Sequence, residues 1–391
     1  MKTIEITLLL IFTFSFHSYS QEIIFGSNKY IEYQKGTLPI VISVPHGGNL
    51  SPLAIPDRTC NNPANVTDAY TIEVAHEINR ALFELTGCYP YIVYCHLKRS
   101  KLDCNRNVAD GACGNSDAVK AWNEFHGFIK TAQNTVSLDY ENNLFFIDLH
   151  GHGNPIQRVE LGYLLYDYEL ELPDETLNTA KYLNFSSVKN LALNNSNNYT
   201  HAELLRGSNS LGTMLANKGF PAVPSSQIPF PGTTTNYYSG GYITATHTCY
   251  TSGNNVNGVQ MELNYTGIRD NQTNRRKFSD SLSRVLCDYM DIHRSKALRQ
   301  CSVLGTIDNS QDGIKIYPNP LNSGSSKIFT AGLTTDLCEY RITDVLGCIC
   351  SIGFITGNQI SLTEKLKSNI YIVMIKDKKS NQTIITKLLV R

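Results

Sequence analysis

Three apolar segments of the chain end in residues that can bind a metal ion or transfer a proton. The first segment runs into His46, the second into Asp148 and His150, and the third into Glu262. Imidazole nitrogens and carboxylate oxygens are common protein ligands of zinc, and a glutamate beside the metal can act as a general base. In open α/β sheets, the carboxyl ends of the strands meet at the crevice where ligands bind. The pattern therefore predicts a catalytic zinc centre that includes His46 and His150.

A catalytic zinc centre needs a third protein ligand, and Asp68 is the predicted one. It directly precedes segment 69–86, whose apolar periodicity predicts a helix after the strand that carries His46. The alternative is that Asp68 or Thr67 only caps this helix. Glu73 and Glu77, one and two turns further along, are weaker candidates for the metal.

The neighbours of His150 leave two roles open. Asp148 lies two residues earlier, so both side chains point to the same face of a strand. Asp148 is predicted either to bind the metal directly or to orient an imidazole. His152 is a spare ligand on the same side, and a surface loop is the alternative for this Gly-flanked His-x-His.

Glu262 is the predicted general base, which takes a proton from the attacking water and passes it to the leaving nitrogen. The alternative is a structural ion pair with an arginine. Segment 98–107 supplies cationic and amide groups after another predicted strand. Arg106 with Asn105 suits a substrate carboxylate, and Arg99 suits a developing oxyanion. The alternative for this segment is a solvated basic loop.

Strand and helix patterns alternate between residues 37 and 300. Strands are predicted at 39–45, 90–96, 143–149, 160–166 and 258–264, and helices at 69–86, 117–137, 204–218 and 276–297. Segment 184–200 is rich in Asn and Ser and is predicted to be a long surface loop. The alternation predicts an α/β fold with a mainly parallel or mixed sheet and helices on both faces.

Composition limits the class of protein. Lys and Arg number 34, equal to Asp and Glu, so no basic excess indicates a nucleic-acid partner. Residues 1–20 have the pattern of a secretory signal peptide, and no later segment has the length and apolarity of a transmembrane span. The 11 cysteines predict disulfides in an exported protein, with the pairing left open.

After Cys301 the pattern changes from long apolar segments to short strands separated by turns. The predicted organisation is a signal peptide at 1–20, a catalytic domain at 21–300, a linker at 301–311 and a small all-β sandwich at 312–391.

The C-terminal region carries three short sequences, Tyr317-Pro318-Asn319-Pro320, Ile342-Thr343-Asp344-Val345-Leu346-Gly347 and Asn369-Ile370-Tyr371-Ile372-Val373, and ends in a Lys-containing strand. It resembles the type-A C-terminal sorting domain of the type IX secretion system of Bacteroidetes, although that family usually has Gly where Asn369 stands. The resemblance implies the type IX secretion machinery as a partner and a secreted or cell-surface location. The alternative is an immunoglobulin-like binding module.

Four motifs in the body occur in order: Val44-Pro45-His46-Gly47-Gly48, Asp103-Cys104-Asn105-Arg106, Asp148-Leu149-His150 and Met261-Glu262-Leu263-Asn264. They resemble those of the N-formylglutamate amidohydrolase-like family, which is related in fold to the zinc carboxypeptidases. The resemblance implies a phosphorylase/hydrolase-like sheet, a single zinc, and hydrolysis of an amide beside a carboxylate.

The same resemblance implies roles for individual residues. His46 and His150 match metal-binding positions, Glu262 matches the catalytic glutamate, and Asn105 with Arg106 matches the pair that binds a substrate carboxylate. The chain departs from carboxypeptidases at Asn49, where they carry a metal-binding glutamate.

Three functional hypotheses follow. The first is an exported zinc amidohydrolase acting on a small-molecule or peptide substrate that carries a carboxylate. The second is a zinc peptidoglycan amidase, a class that also has a His-Gly-Gly after its first strand and an acidic ligand much where Asp68 lies. The third is a non-catalytic surface protein with a degenerate hydrolase fold.

Overall fold

The structure is a computed structural model that describes residues 21–391 except 62, 141–143, 233–235, 252, 295–314, 332, 334–337, 345–348, 363 and 378–382. The predicted signal peptide and the predicted linker lie outside the described residues.

The body is built on an eight-stranded mixed sheet with the strand order β1-β2-β4-β3-β5-β8-β6-β7. The neighbours β4, β3, β5 and β8 are parallel, while β1, β2 and the β6/β8 pair add antiparallel pairings. The sheet confirms the prediction of an α/β fold with a mixed sheet. The strands are β1 Ile23–Phe25, β2 Ile31–Gln34, β3 Ile40–Val44, β4 Tyr91–Cys95, β5 Phe145–Gly151, β6 Val159–Gly162, β7 Ala222–Val223 and β8 Asn257–Leu263.

The central strands are buried on both faces, because helices cover each side of the sheet. Every residue of β3 is buried, and its side chains alternate between two apolar clusters. Ile42 packs in the cluster that contains Phe278, whereas Val41 packs in the cluster that contains Phe125. Near-continuous apolar strands of this kind are typical of sheets covered on both faces.

The helices of the body are α1 Thr71–Thr86, α2 Val108–Ala112, α3 Ser116–Asp139, α4 Asp167–Leu170, α5 Asp174–Leu177, α6 Ala180–Phe185, α7 Lys189–Asn194, α8 His201–Arg206, α9 Leu211–Asn217, α10 Tyr242–His247 and α11 Gln272–Arg294. Helices α1 and α11 contribute to one apolar cluster, and α3 and α10 contribute to the other. None of the helices in the described ranges is long and apolar enough to cross a bilayer.

Two sequence predictions in this region were wrong. The predicted loop at 184–200 contains α7, and its Leu191 and Asn195 are buried, so the polar composition hid a helix that packs on the sheet. The single predicted helix at 204–218 is two helices, because α8 ends at Gly207 and Ser210 starts α9 with a side-chain cap.

The C-terminal region forms two antiparallel sheets. One has the order β13-β10-β9 and the other β12-β11-β14-β15, and residues of both sheets share a single apolar cluster. That arrangement confirms an all-β C-terminal region. Its strands are β9 Lys315–Tyr317, β10 Lys327–Ala331, β11 Cys338–Asp344, β12 Ile349–Phe354, β13 Gln359–Ser361, β14 Asn369–Asp377 and β15 Thr383–Val390.

Two rows of polar residues lie near the carboxyl ends of the parallel strands. In the first row, Ser43 of β3 pairs with Asp148 of β5, which pairs with Gln260 of β8. In the second row, His150 of β5 pairs with Glu262 of β8. Since side chains alternate along a strand, both rows point to the same face, the one that α3 covers.

Candidate metal centre

The loop after β3 delivers His46 to the centre of the molecule. Gly47 and Gly48 follow, and the backbone here runs too close to its neighbours for side chains. A Cβ on Gly48 would lie 2.2 Å from the carbonyl carbon of His96, and one on Gly47 would lie 2.5 Å from Oγ1 of Thr71. The two glycines therefore let this loop pack closely against β4 and α1, which fixes the position of His46.

His46, Asp68 and His150 form a buried group whose ligand atoms all lie within 4.8 Å of one another. Oδ2 of Asp68 is 3.5 Å from Nδ1 of His46 and 3.2 Å from Nδ1 of His150. The structure thus brings the three predicted ligands together from the loop after β3, the loop before α1, and β5. Two imidazole nitrogens and one carboxylate oxygen, all buried, could bind a metal ion.

Each imidazole is held from behind by a buried carboxylate. Nε2 of His46 donates to Oδ1 of Asp103 at 2.7 Å, and Nε2 of His150 lies 3.1 Å from Oδ2 of Asp148. A carboxylate on one ring nitrogen fixes the tautomer and leaves the other nitrogen free to bind a metal. The distance from Asp148 to the Nε2 side of His150 favours the orienting role over direct ligation.

The surroundings of Asp148 support that role. Its Oδ1 accepts a hydrogen bond from Ser43 at 2.8 Å, and Thr244 lies 3.4 Å from its Oδ2. Both oxygens therefore have partners in the described structure. Nδ1 of His46, by contrast, is buried without a normal hydrogen bond among the described residues. Such an orphaned nitrogen beside a carboxylate and a second imidazole fits the binding of a cation.

The charges of the group are strongly perturbed. Burial alone would raise the pKa of Asp68, but contacts with His150 and His46 hold the pKa well below its usual range. Burial alone would lower the pKa of His150, but Asp148 and Asp68 raise the pKa well above its ordinary value. Anionic neighbours thus favour positive charge at the position that a metal ion would take.

Asp68 does not act as the helix cap that the sequence also allowed. Helix α1 begins after Tyr70, with no side-chain cap hydrogen bond, and the carboxylate of Asp68 instead accepts the backbone N–H of Gly151 at 3.2 Å. Of the other predicted competitors, Glu77 pairs with Arg80 at 2.6 Å. Asn49, the position of the missing glutamate, is exposed.

His152, the additional candidate ligand, forms hydrogen bonds within a loop. Nε2 of His152 donates to the carbonyl of Arg158 at 2.8 Å, and its Nδ1 accepts the backbone N–H of Asn154 at 3.1 Å. His152 therefore shapes the loop after β5, and its ring nitrogens are already used.

Glu262 is buried beside the metal group. Its Oε1 lies 4.0 Å from Nδ1 of His150 and accepts a hydrogen bond from Gln260 at 2.9 Å. Burial raises the pKa of Glu262 to about 8; His150 opposes the shift, and the nearby Asp68 adds to it. A bound cation would oppose the shift as well and favour the carboxylate form.

Arginines converge on the carboxylate that orients His46. Oδ2 of Asp103 lies 3.1 Å from Nε of Arg99, 3.5 Å from Nε of Arg106 and 3.5 Å from Nη2 of Arg58. One buried carboxylate thus faces three guanidinium groups. The net charge of this cluster, which we call the cationic wall, is therefore positive. Arg106 is the most exposed of them, with 40% of its side chain accessible.

Asn105 lies between this wall and the metal group. Its Oδ1 accepts the backbone N–H of Ile243 at 2.8 Å, which anchors the start of α10, and its Nδ2 lies 3.4 Å from Nε2 of His150. Only the Nδ2 side is therefore available to a ligand.

A cavity of about 530 Å³ opens over the metal group. Its walls combine the predicted site residues with a loop that the sequence analysis did not assign. The lining residues are Val66, Asp68, Arg99, Asn105, Arg106, His150, Gly151, His152, Gly153, Tyr237, Tyr238, Ser239, Gly240, Gly241, Gln260 and Glu262.

A disulfide joins two segments that carry site residues. Cys60 and Cys113 are bonded, and they lie 53 positions apart in sequence. Cys60 lies in the loop that leads to Asp68, and Cys113 follows the segment with Asp103. The bond confirms the prediction that some of the cysteines form disulfides, and the link limits how far the two segments can separate.

Several site residues escaped the sequence analysis. Asp103 was part of a motif but had no role, and Gln260 could have been found because it lies two residues before Glu262 on the same strand face. Arg58 and Tyr238 lie on irregular segments, where no periodicity indicates which way a side chain points.

Comparisons with known proteins give little beyond this geometry. No family model matches the chain, and no curated protein matches it. One solved structure shows local similarity: PorZ, described as an essential bacterial surface component of the type-IX secretion system of Porphyromonas gingivalis. It is 24% identical over 20% of this chain and 12% of its own length, with a TM-score of 0.18, which is too low to bear on fold or function.

The geometry predicts how substitutions change metal binding. His46→Ala or His150→Ala removes one of three ligands, so each variant should lose most of its bound zinc. Asp103→Asn and Asp148→Asn keep the ligands but weaken their orientation, so the zinc affinity should fall by about 10- to 100-fold. Metal content after dialysis and chelator competition measure both effects.

His76→Ala is the control, since His76 is exposed on α1 and lies outside the metal group. Full zinc retention in both ligand variants would contradict the site. A wild-type protein that purifies without stoichiometric zinc, and takes up none, would support the non-catalytic hypothesis.

Proposed function

We propose that the chain is an exported zinc-dependent hydrolase that cleaves an amide bond next to a carboxylate. The observation that carries the proposal is the convergence of His46, Asp68 and His150 around one point, with Glu262 beside them at the base of an open cavity. We assign the sheet to the phosphorylase/hydrolase-like class, in line with the motifs at its strand ends.

The donor set supports zinc as the metal. Two imidazole nitrogens and one carboxylate oxygen form a three-ligand set of the kind found in catalytic zinc sites. When bound, zinc supplies a Lewis acid and makes water a better nucleophile near neutral pH. The protein's share of the work is to hold the ligands, exclude bulk water and move the proton.

Glu262 is the residue placed to move the proton. It comes from β8, directly beside the β5 residue His150 in the sheet register. Gln260 donates to its Oε1, which orients the carboxylate, and Glu262 lines the cavity. A carboxylate in this position can accept a proton from the attacking water and return it to the leaving nitrogen.

The cationic wall supports a substrate that carries a carboxylate. Arg99 and Arg106 both line the cavity while their Nε groups contact Asp103. Nη1 of Arg99 also lies 3.7 Å from Oδ1 of Asp68, so Arg106 offers the freer N–H groups to an anion. A guanidinium can bind a carboxylate through two parallel hydrogen bonds. We assign substrate binding to Arg106 and Asn105, and oxyanion stabilisation to Arg99.

A zinc peptidoglycan amidase is the second candidate. The observation that favours it is the carboxylate ligand, because Asp68 comes from the segment just before α1, where such amidases carry an acidic ligand. The two arginines in the cavity favour the first candidate.

We further propose that the C-terminal region directs export through the type IX secretion machinery, and that the mature protein is secreted or held at the cell surface. The support is the short sequences at 317–320, 342–347 and 369–373, carried by an all-β region with its own apolar core.

The proton-transfer role can be tested with Glu262→Gln. The amide keeps the shape and hydrogen-bonding reach but cannot accept a proton, so hydrolysis should fall by roughly 10²–10⁴-fold while zinc stays bound. Turnover of N-formyl amino acids and metal content are the measurements, with the exposed Glu22→Gln as control. Zinc loss in the variant would make Glu262 a ligand and leave the base unassigned.

Substitutions of the two arginines should change different steady-state parameters. Arg106→Ala should mainly raise KM, because a grip on the substrate carboxylate is made before and during the reaction. Arg99→Ala should lower kcat by roughly 10²–10³-fold, the effect of one lost oxyanion donor. Arg276→Ala, an exposed position on α11, is the control. Unchanged kinetics in both arginine variants would shift the assignment to peptidoglycan, which should then be assayed as substrate.

Removal of residues 301–391 tests the sorting role. The three apolar clusters found among the described residues share no member between body and C-terminal region, so the truncated body should unfold cooperatively and bind zinc. In a host with type IX secretion it should remain inside the cell envelope, as measured by cell fractionation and immunoblotting. Normal release of the truncated protein would refute the sorting role.

A further inference from the structure

A second cavity, of about 400 Å³, lies beside the cavity over the metal group, which we call the metal cavity. Ser239, Gly240 and Gly241 line both cavities, so the two adjoin along this loop. Small-molecule sites usually have volumes of about 300–1,000 Å³, and both cavities fall in that range. The second cavity is therefore large enough to hold one part of a ligand whose other part lies over the metal group.

Aromatic side chains dominate the lining of the second cavity, which we call the aromatic cavity. They come from separate segments of the chain: the turn before α4, the end of α6, the start of α10 and the turn after α10. The residues are Tyr166, Phe185, Tyr242 and Tyr250, and Leu164 and Ala245 add apolar surface. Tyr166, Phe185 and Tyr250 are exposed to solvent. Large apolar side chains that gather around an open surface typically mark a binding site.

The two cavities differ in charge. Among the described residues that line the aromatic cavity, Glu169 is the only charged one, and its Oε2 accepts the backbone N–H of Tyr166 at 2.8 Å. The metal cavity, by contrast, contains Arg99 and Arg106 of the cationic wall. A ligand that occupies both cavities would therefore place an anionic group at the arginines and an uncharged, apolar group in the aromatic cavity.

The loop shared by the two cavities packs against both with its backbone. A Cβ on Gly240 would lie 2.7 Å from Cδ2 of Leu164, which lines the aromatic cavity. A Cβ on Gly241 would lie 2.5 Å from Nδ2 of Asn105, which lines the metal cavity. Gly240 also has a φ of 121°, which residues with a side chain rarely adopt. Glycine at these two positions thus keeps side chains out of the boundary between the cavities.

Asn105 indicates which end of a substrate lies near the aromatic cavity. Its Oδ1 accepts the backbone N–H of Ile243 on α10, the helix that also contributes Tyr242 and Ala245 to the aromatic cavity. A substrate whose carboxylate is bound by Asn105 and Arg106 therefore has its carboxylate end beside the shared loop. The side chain on the carbon that carries this carboxylate is then the substrate group nearest the aromatic cavity.

We propose that the aromatic cavity binds the side chain of the amino acid that carries the substrate's carboxylate, and that this side chain is aromatic in the preferred substrate. The inference rests on the proposed function and deepens it. An aromatic ring packs favourably against aromatic walls in offset-stacked or edge-to-face arrangements. A glutamate side chain is disfavoured, because its charge would be placed on apolar surface and near the carboxylate of Glu169.

The first test compares hydrolysis of N-formyl-L-phenylalanine, N-formyl-L-alanine and N-formyl-L-glutamate by the zinc-loaded full chain. The phenylalanine derivative should exceed the alanine derivative in kcat/KM by about 10- to 100-fold, because only the phenyl ring is buried in the aromatic cavity. Equal values for these two compounds, or a preference for the glutamate derivative, would overturn the inference. A preference for an N-acetylmuramoyl peptide over all three would assign the cavity to a sugar ring and overturn it as well.

Substitutions in the aromatic cavity locate the preference. Phe185→Ala and Tyr250→Ala should each lower the ratio of the phenylalanine to the alanine value of kcat/KM by about 2- to 10-fold, the effect of one lost aromatic contact. Phe25→Ala on β1 is the matched control, since Phe25 is 45% exposed, compared with 46% for Phe185, and lines neither cavity. The control should leave the ratio unchanged. An unchanged ratio in the double variant Phe185→Ala/Tyr250→Ala would show that the ring binds elsewhere.

A binding measurement separates this inference from the proposed function. Free L-phenylalanine, L-alanine and L-glutamate are titrated by calorimetry into the zinc-loaded wild-type protein and the double variant. Tighter binding of L-phenylalanine than of L-alanine by the wild type but not by the double variant, in a chain that hydrolyses none of the N-formyl compounds, supports the aromatic cavity and contradicts the proposed activity. Hydrolysis without discrimination between phenylalanine and alanine contradicts only the aromatic cavity. The absence of both hydrolysis and discrimination contradicts both proposals.

Discussion

The buried carboxylate of Asp103 is the interaction on which the rest of the site depends. It is inaccessible to solvent, and a lone charge there would be very costly. Its Oδ1 accepts from Nε2 of His46 and from the backbone of Asn105, and its Oδ2 faces arginines that include Arg99. The pKa of Asp103 is held well below its usual range against the effect of burial, first by His46. The same carboxylate thus orients the candidate metal ligand His46 and organises the cationic wall.

This arrangement links two functions that could have been separate. If Asp103 were only a partner for His46, a single hydrogen bond would suffice. The arginines around it mean that the cationic wall of the cavity and the candidate metal ligand His46 share one anchor. Arg58 extends the link, because it also donates to the carbonyls of Arg99, Asp110 and Ala64. These bonds, together with the disulfide between Cys60 and Cys113, hold the loop before Asp68 against the segment that carries Arg99 and Arg106.

The sequence predicted much of this because the key residues lie at the ends of regular strands. Where an apolar run stops at a polar residue, the two-residue period of a strand tells which side chains share a face, and this period correctly paired Asp148 with His150. The predicted strands at 39–45 and 90–96 match β3 and β4 closely, and the body has the mixed α/β sheet that the alternation indicated. These patterns depend only on residues that are close in sequence, so they can be recognised without knowledge of the tertiary structure.

The parts that the sequence did not predict depend on contacts between distant segments. The polar stretch at 184–200 hid α7 because burial of Leu191 against the sheet outweighs a composition that favours loops. The sequence did not indicate the cavity wall at 237–241 either, because this loop packs against Gly162 of β6, which is distant in sequence. Asp103 lies 57 residues from His46 in sequence, and no pattern along the chain indicates that hydrogen bond.

The two polar rows explain how hydroxyl, amide, imidazole and carboxylate groups come to lie side by side beneath the cavity. Ser43, Asp148 and Gln260 occupy one row of the sheet, and His150 and Glu262 occupy the next. Adjacent strands lie about 4.8 Å apart, so side chains in register are close enough to form hydrogen bonds. The backbone pairing also keeps these side chains at a fixed separation. The sheet thus sets the spacing between Glu262, His150 and Gln260 before any ligand binds. A group held at a fixed distance by backbone pairing needs no rearrangement during a reaction, and that rigidity makes electrostatic stabilisation by such residues effective.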